Sequence, residues 1–402
     1  MSFRPPKGTD DIIAPRSELW RETLTLWDDW SSRYGYPLVM TPIFEATDLF
    51  ERGVGPSSDV VTKQMYTFSD RGGRSVTLRP EGTAGVVRAH LNSGEPAPWK
   101  GAYSGPFFRY EQPQGGRRRQ FWQVGVEYLD VVSPVADAEV IELGYRFLEA
   151  VGVPGLELLI NSLGDARCRP QYVESLRQYL RAQTVLSEDS RRLIETNPLR
   201  VLDSKIDRPR LADPPSMVDH LCDDCRGHFQ GVRDLLDTLG IDYTLDDSLV
   251  RGLDYYTRTA FEFIGGGLET AQNAVGGGGR YDGLAESLGG RATPGVGFAL
   301  GVDRILLSLG ETGRPHLDAF LVSETSPAET MEIVSDLRRQ GLRVDFDGEG
   351  RSVKAQFRMA RRLGAPVVLV FGGDAGAIDV QRESDRTTVP LNGVAGAIKG
   401  AP

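Results

Sequence analysis

Phe108-Arg109-Tyr110-Glu111, followed after a short loop by Arg117-Arg118-Arg119-Gln120-Phe121-Trp122-Gln123, is the most informative stretch of this 402-residue chain. Tyr103 to Glu111 reads as a strand and Phe121 to Leu129 as its return strand. Gln112 to Gln120, rich in glycine and arginine, is the loop between them, which makes a long hairpin. The segment Arg109 to Arg119 holds four arginines and one glutamate, although the whole chain carries a net charge of −10. An arginine on a strand beside an arginine-rich loop suits a polyphosphate, and Phe121 offers a flat face to a base. Taken alone, the same residues also describe a solvated basic hairpin.

On the N-terminal side, Ser17 to Tyr34 has apolar residues at helical spacing (Leu19, Leu24, Leu26, Trp30) and ends at Gly35. Tyr36 to Phe44 then reads as a strand broken by Pro37 and Pro42, which suits a subunit contact better than a sheet centre. On the C-terminal side, Asp137 to Val151 is a helix with an apolar stripe. Residues 165–245 are mostly helical (Gln171 to Gln183, Ser187 to Thr196, Met217 to Leu239) and look inserted between strand-rich parts. Residues 246–310 return to strands and glycine turns and close with a helix, Val302 to Leu309. A break follows at Gly310 to Pro315. The rest alternates strand and helix in a small α/β domain: strands at Leu317 to Val322, Leu342 to Phe346, Pro366 to Phe371 and Ile378 to Gln381, helices at Pro327 to Gln340 and Ser352 to Leu363. Gly393 to Pro402 reads as a poor helix.

Three more segments carry chemistry. In Leu249-Val250-Arg251-Gly252-Leu253-Asp254-Tyr255-Tyr256-Thr257-Arg258-Thr259, adjacent tyrosines on a strand would point to opposite faces, and Arg251 would share a face with Tyr255. In Val275-Gly276-Gly277-Gly278-Gly279-Arg280-Tyr281-Asp282-Gly283, the glycines let a backbone approach a ligand closely, or form a plain turn. The stretch matches neither a phosphate loop nor a dinucleotide fingerprint. Gly295-Val296-Gly297-Phe298-Ala299-Leu300-Gly301-Val302-Asp303-Arg304 is a small-residue strand running into a helix, which leaves room for a flat ligand within reach of Arg304.

The bulk composition, 40% hydrophobic and 25% charged, is that of a soluble globular protein of two or three domains. The sequence contains no long uncharged apolar run and no apolar stretch near Met1 to Asp11, so neither a membrane span nor a signal peptide is expected. Three cysteines suit a reducing cytoplasm. The negative total argues weakly against a general polyanion binder, but a local basic face is enough for a nucleic acid.

Taken together, these segments resemble the histidyl-tRNA synthetases, a family of class II aminoacyl-tRNA synthetases, over nearly the whole chain. Gly35 to Phe50 with Pro42 is similar to motif one, which builds the dimer interface. Arg79-Pro80-Glu81-Gly82-Thr83 is similar to the amino-acid-binding loop, the hairpin to motif two and Gly295 to Arg304 to motif three. Arg251 to Tyr256 and Gly277 to Asp282 resemble two histidine-specific motifs, the most discriminating of the set. The resemblance implies an α+β catalytic core with an antiparallel sheet, a helical insertion and a C-terminal α/β anticodon-binding domain. The expected boundaries are 1–164 and 246–314 for the two parts of the core, 165–245 for the insertion and 315–402 for the last domain.

It also implies an activity: ATP-dependent activation of L-histidine and its transfer to histidine tRNA, in a cytoplasmic homodimer with ATP and magnesium. Arg109 would hold the α-phosphate, and Arg251 would supply positive charge there where related enzymes use a metal. Phe121 and Arg304 would sandwich the adenine, Arg304 would also sit near the γ-phosphate, and Arg117 would likewise reach the γ-phosphate. Glu81, Thr83 and Gln123 would take the histidine ammonium, and Glu127, Tyr255 and Tyr256 the imidazole. Gln114 and Arg119 would meet the tRNA acceptor end. Gln112 and Trp122 stand where the family usually has Arg and His. Trp122 reads as a packing change, since strand alternation turns it away from Gln123. No side chain is assigned as a metal ligand or as a general base.

Cys222-Asp223-Asp224-Cys225, with His228 and Cys168, has zinc-like spacing but lacks a second close pair. Helical periodicity over 217–239 makes Cys222 and Cys225 small core residues on one face, so no zinc is expected. The rival function is a catalytically silent synthetase paralogue, the regulatory subunit of ATP phosphoribosyltransferase in histidine biosynthesis. The intact Arg251 to Tyr256 stretch and the presence of residues 316–402 favour the enzyme.

Overall fold

The structure, a computed structural model, describes residues 3–55, 58–112, 117–202, 204, 206–249, 255–268, 273–310, 316–372, 376–382 and 385–399. Arg251 and Gln114 fall outside them. The chain forms two compact units, residues 1–11 with 22–311, and residues 12–21 with 312–402.

The first unit is built on a seven-stranded sheet. Its strands are β1 (Trp99–Phe108), β2 (Gln120–Leu129), β3 (Glu157–Ser162), β4 (Thr244–Leu245), β5 (Thr257–Ile264), β6 (Ala274–Arg280) and β7 (Gly295–Gly301). The order across the sheet is β1-β2-β7-β6-β5-β3-β4. Every pairing is antiparallel except β3 with β4. The expected hairpin is β1 and β2, with Phe107 opposite Phe121 and Gly105 opposite Gln123. Alternation along β2 puts Phe121, Gln123 and Glu127 on one face and Trp122, Val124 and Val126 on the other. Trp122 donates its indole N–H to Ser104 (2.9 Å), in keeping with a packing role.

Helix α1 (Arg16–Arg33) closes at Gly35, whose φ of 75° suits glycine. Helix α2 (Pro134–Val151) begins earlier than the apolar stripe indicated, because Ser133 caps it and Pro134 fits its first turn. The apolar layer behind the sheet joins Trp27 edge-on to Phe147 (5.2 Å) and Phe298 (6.0 Å), and Phe263 to Phe298 (6.2 Å).

Four readings are corrected. Residues 36–44 are not a continuous strand. The prolines limit them to one bridge, Leu38 with Ala102, before a short strand at Phe44–Ala46. The helix expected over Met217 to Leu239 is a 3₁₀ turn, Val218–His220, followed by α4 (Asp223–Thr238), with Cys222 as its N-cap residue. Tyr255 and Tyr256 precede β5 instead of lying on it. The glycine run is the interior strand β6 rather than a turn: a Cβ on Gly278 would overlap the Gly297 carbonyl, so only glycine lets these strands pair.

Helix α3 (Arg169–Arg181) and the helix Glu188–Thr196, capped by Ser187, belong to the helical block of the first unit. Its core joins Tyr172, Leu176, Leu180, Ile194, Val201, Leu211 and Cys225.

In the second unit Ala319–Ser323 pairs in parallel with Val344–Phe346 and Val368–Phe371. Val368–Phe371 then pairs antiparallel with Ala377–Gln381, which pairs with Arg386–Pro390. That last strand was missed, because Arg386, Thr387 and Thr388 are exposed and show no apolar alternation. The tail forms a six-residue helix, Val394–Lys399, anchored by buried Val394. Among the described residues no helix is long and apolar enough to cross a membrane.

Candidate active site

One face of the seven-stranded sheet floors a cavity of about 390 Å³. Its walls bring together nine of the predicted residues: Glu81, Thr83, Arg109, Arg117, Phe121, Gln123, Tyr255, Tyr256 and Arg304. These come from the loop before the helix Thr83–Ser93, the hairpin, the turn before β5 and the helix Val302–Ser308. Residues as far apart along the chain as Glu81 and Arg304 thus meet because antiparallel pairing stacks β2, β7, β6 and β5 side by side.

The acidic part is organised by Glu127, which is fully buried beneath the cavity. Its Oε1 accepts the Thr83 hydroxyl proton (2.8 Å) and its Oε2 accepts a hydrogen bond from the Tyr281 hydroxyl. Gly297 is required opposite it, since a Cβ there would overlap Oε2. Burial pushes the Glu127 carboxyl up to about 8, with neighbouring Glu81 adding to the shift, while the Tyr281 and Thr83 hydrogen bonds oppose it. Glu81 accepts the backbone N–H of Thr83 (2.7 Å) and of Ala84 (3.0 Å), so it caps the helix that follows. Burial raises its pKa too. Both tyrosines, expected on opposite faces, line the cavity, with ring centroids 4.6 Å apart. The turn conformation breaks the alternation that a strand would impose. Gln123 Oε1 is buried and has no hydrogen-bond partner among the described residues. It is an acceptor left for a ligand.

The basic part begins at Arg109, which donates Nε–H to the Pro80 carbonyl (2.8 Å) and lies over the Phe121 ring (5.4 Å). Burial lowers its pKa, with Glu111 and Glu81 acting against that. Arg117 and Glu111 are paired at 3.5 Å, and Arg304 feels both of them and Glu262. A polyphosphate with a flat base fits this set, as does a small ammonium-bearing ligand in the acidic part.

Arg119 is not a cavity residue. It stacks on the Tyr110 ring (3.8 Å) and donates Nε–H to the Glu111 carbonyl (3.3 Å), at the loop end of the hairpin. Sequence reasoning missed Tyr103, Arg118 and Asp303 on the cavity wall and Tyr281 beneath it. Arg118 pairs with Asp303 (3.2 Å) and Asp10. Tyr281 lay inside a quoted stretch, but its role appears only once Glu127, 154 residues away, is placed beside it. His228, considered for zinc, instead bonds Asp137 (3.1 Å). His90 and His220, unassigned before, meet Asp130 (2.9 Å) and the Ser216 carbonyl (2.9 Å).

Comparison with known proteins gives the family. A family model described as histidyl-tRNA synthetase matches residues 8–305, and one for an anticodon binding domain matches 318–399. The chain is 46% identical to the histidine–tRNA ligase of Corynebacterium kroppenstedtii, covering 99% of this chain and 97% of the relative. It is 44% identical to that of Halothermothrix orenii, covering 97% and 94%. A crystal structure of apo S. aureus histidyl-tRNA synthetase superposes with a TM-score of 0.76 at 36% identity, covering 99% of this chain and all of the other. The Bacillus halodurans ATP phosphoribosyltransferase regulatory subunit/histidyl-tRNA synthetase shares the fold (TM-score 0.69, 21% identity, 93% of this chain and all of the other). With an antiparallel core, a C-terminal anticodon-binding domain and these matches over nearly its full length, the chain belongs to the histidyl-tRNA synthetase family.

Proposed function

We propose that the chain activates L-histidine with ATP and transfers it to histidine tRNA. The observation that carries this reading is the single cavity in which a buried Glu127–Thr83–Tyr281 network adjoins Arg109, Phe121 and Arg304. Histidine's ammonium meets Glu81, Thr83 and Gln123, and its imidazole meets Glu127 and the Tyr255–Tyr256 pair. Amino acids lacking the imidazole leave these buried groups unpaired and are rejected. The adenine stacks between Phe121 and Arg304.

In the activation step the histidine carboxylate oxygen bonds to the α-phosphorus, and the bond from that phosphorus to the bridging oxygen of pyrophosphate breaks. Arg109 and Arg251 stabilise the charge that grows on the α-phosphoryl oxygens. Arg117 and Arg304 hold the departing pyrophosphate. Magnesium takes oxygen ligands, and Glu111 and Glu262 on the cavity wall are the carboxylates that would meet it. Held there, it would supply positive charge that offsets the charge of the polyphosphate. In transfer, a ribose hydroxyl of the terminal adenosine attacks the adenylate carbonyl and AMP leaves. Gln114 and Arg119 guide that acceptor end.

The test is amino-acid-dependent exchange of pyrophosphate into ATP. Exchange with histidine but not with proline or threonine, abolished in Arg251→Ala, is expected. No exchange in folded protein that still binds histidine would sink the reading in favour of the regulatory paralogue.

The working form is a cytoplasmic homodimer. Its support is an apolar strip on the motif-one segment: Leu38, Met40, Ile43 and Phe44 are 63%, 85%, 45% and 56% exposed, more than an isolated surface tolerates comfortably. Sedimentation at twice the chain mass, falling to the chain mass in Met40→Asp, is expected. An active wild-type monomer would contradict it.

A further inference from the structure

Outside the cavity, one cluster of metal-ligating side chains stands out. Asp165, Cys168, Cys222 and Cys225 place their ligand atoms within 4.8 Å of one another. The sequence reading dismissed the cysteines because Cys222-x-x-Cys225 had no second close pair. The fold supplies one: Asp165-Ala166-Arg167-Cys168 has the same spacing, with a carboxylate in place of a thiolate. Cys222 is the N-cap residue of α4 and packs at the edge of the core that holds Cys225, beside the Asp165 carboxylate. Cys168 holds the same position on α3.

From these observations we infer that Asp165, Cys168, Cys222 and Cys225 form a structural site for one tetrahedral soft divalent cation, zinc being the chemical class that fits. In a tetrahedron with Zn–S near 2.3 Å and Zn–O near 2.1 Å, ligand atoms lie about 3.6–3.8 Å apart. Asp165 Oδ1 is 3.6 Å from Cys168 Sγ and 4.0 Å from Cys222 Sγ, and all four ligand atoms lie within 4.8 Å of one another, so metal binding draws them together by about 1 Å at most. The outer oxygen is already oriented: Oδ2 accepts from Arg167 (2.9 Å), with Arg258 3.8 Å away. Arg167 also reaches Asp224 (2.7 Å). Three thiolates and a carboxylate around a dication leave a charge of −2, and these two guanidinium groups oppose it. Such outer partners fix ligand orientation.

Gly164, at a φ of 60°, makes the turn that brings Asp165 over Cys168, and a Cβ there would overlap Met217 and crowd Cys168 Sγ. The loop is also tied to the histidine pocket. Arg258 N–H donates to the Gly164 carbonyl (2.7 Å), Leu163 N–H to the Arg258 carbonyl (2.6 Å), and Arg169 to the carbonyls of Leu163 (2.9 Å) and Tyr256. The metal would thus lock the start of the helical block to the segment that presents Tyr255 and Tyr256.

The experiment uses the full chain purified under reducing conditions without chelator from zinc-containing medium, with metal content measured by mass spectrometry. About one zinc per chain is expected, along with protection of the thiols from a thiol reagent until a chelator is added. The chelated, reduced protein titrated with cobalt should develop a thiolate-to-metal charge-transfer band and the visible bands of tetrahedral cobalt. Cys222→Ser, at a half-exposed ligand that folding tolerates best, should fall below about a tenth of a zinc per chain. Wild-type protein with three freely reactive thiols, no zinc and no cobalt bands would overturn the site. So would a disulfide among these cysteines in the active enzyme, or full zinc retention in Cys222→Ser. The wild-type cobalt spectrum decides the matter even if the variant does not fold.

Discussion

Arg280→Met is expected to destabilise the first unit by about 3–5 kcal/mol, the cost of stripping one partner from a buried ion pair. Arg280 and Asp137 are both fully buried. The guanidinium donates to both Asp137 oxygens (Nε at 3.2 Å to each) and to the Val131 carbonyl (2.7 Å), and Asp282 pairs with it at 3.2 Å. Without it, Asp137 keeps, among the described residues, only His228 (3.1 Å) as a side-chain partner, in an interior where an uncompensated carboxylate is costly. The network ties β6 to α2 and α4, so its loss loosens the sheet that floors the cavity. Urea unfolding followed by tryptophan fluorescence reads this directly, because Trp27, Trp30, Trp99 and Trp122 all lie in that unit. A loss below about 1 kcal/mol would show the pair to be dispensable.

The pH dependence has a definite sign. Burial raises the Asp137 pKa, but the His228 hydrogen bond and the Arg280 charge outweigh it, and the net shift is downward. A carboxyl whose folded pKa is depressed contributes stability above its unfolded value, and this is lost as pH falls through the folded one. The wild-type unit should therefore lose this contribution only below the ordinary carboxylate range.

Arg109→Met is expected to lower kcat for histidine-dependent pyrophosphate exchange by about 10²–10³-fold, the usual effect of removing one preorganised group at a site of developing charge. The side chain is held by the Pro80 carbonyl and the Phe121 ring, so the charge needs no reorganisation in the reaction. Methionine keeps much of the stem's packing, and an unchanged urea midpoint would separate chemistry from folding. Arg109→Lys should recover little, since an ammonium cannot reproduce the planar fork. Exchange within roughly fivefold of wild type in Arg109→Met would remove Arg109 from the α-phosphate role.

Periodicity and local chemistry were enough to read the hairpin, the strand from Gly295 into its helix and the alternation of the C-terminal unit, because strand and helix spacing are local properties. The resemblance then selected nine side chains that the fold brings to one cavity. Three things were not legible. The glycines of Ala274–Arg280 form an interior strand, and the need for glycine there arises only against backbone carbonyls of neighbouring strands, such as that of Gly297. Tyr255 and Tyr256 turn to the same cavity because they stand in a turn, where alternation does not hold. Tyr281 and Arg280 have partners 154 and 143 positions away. The sequence by itself thus determined the elements with clear local periodicity and which residue types are available for phosphate, base and ammonium. Only the tertiary structure decided which of them meet, because hydrogen bonds and ion pairs depend on distance in space, and strand pairing erases distance along the chain.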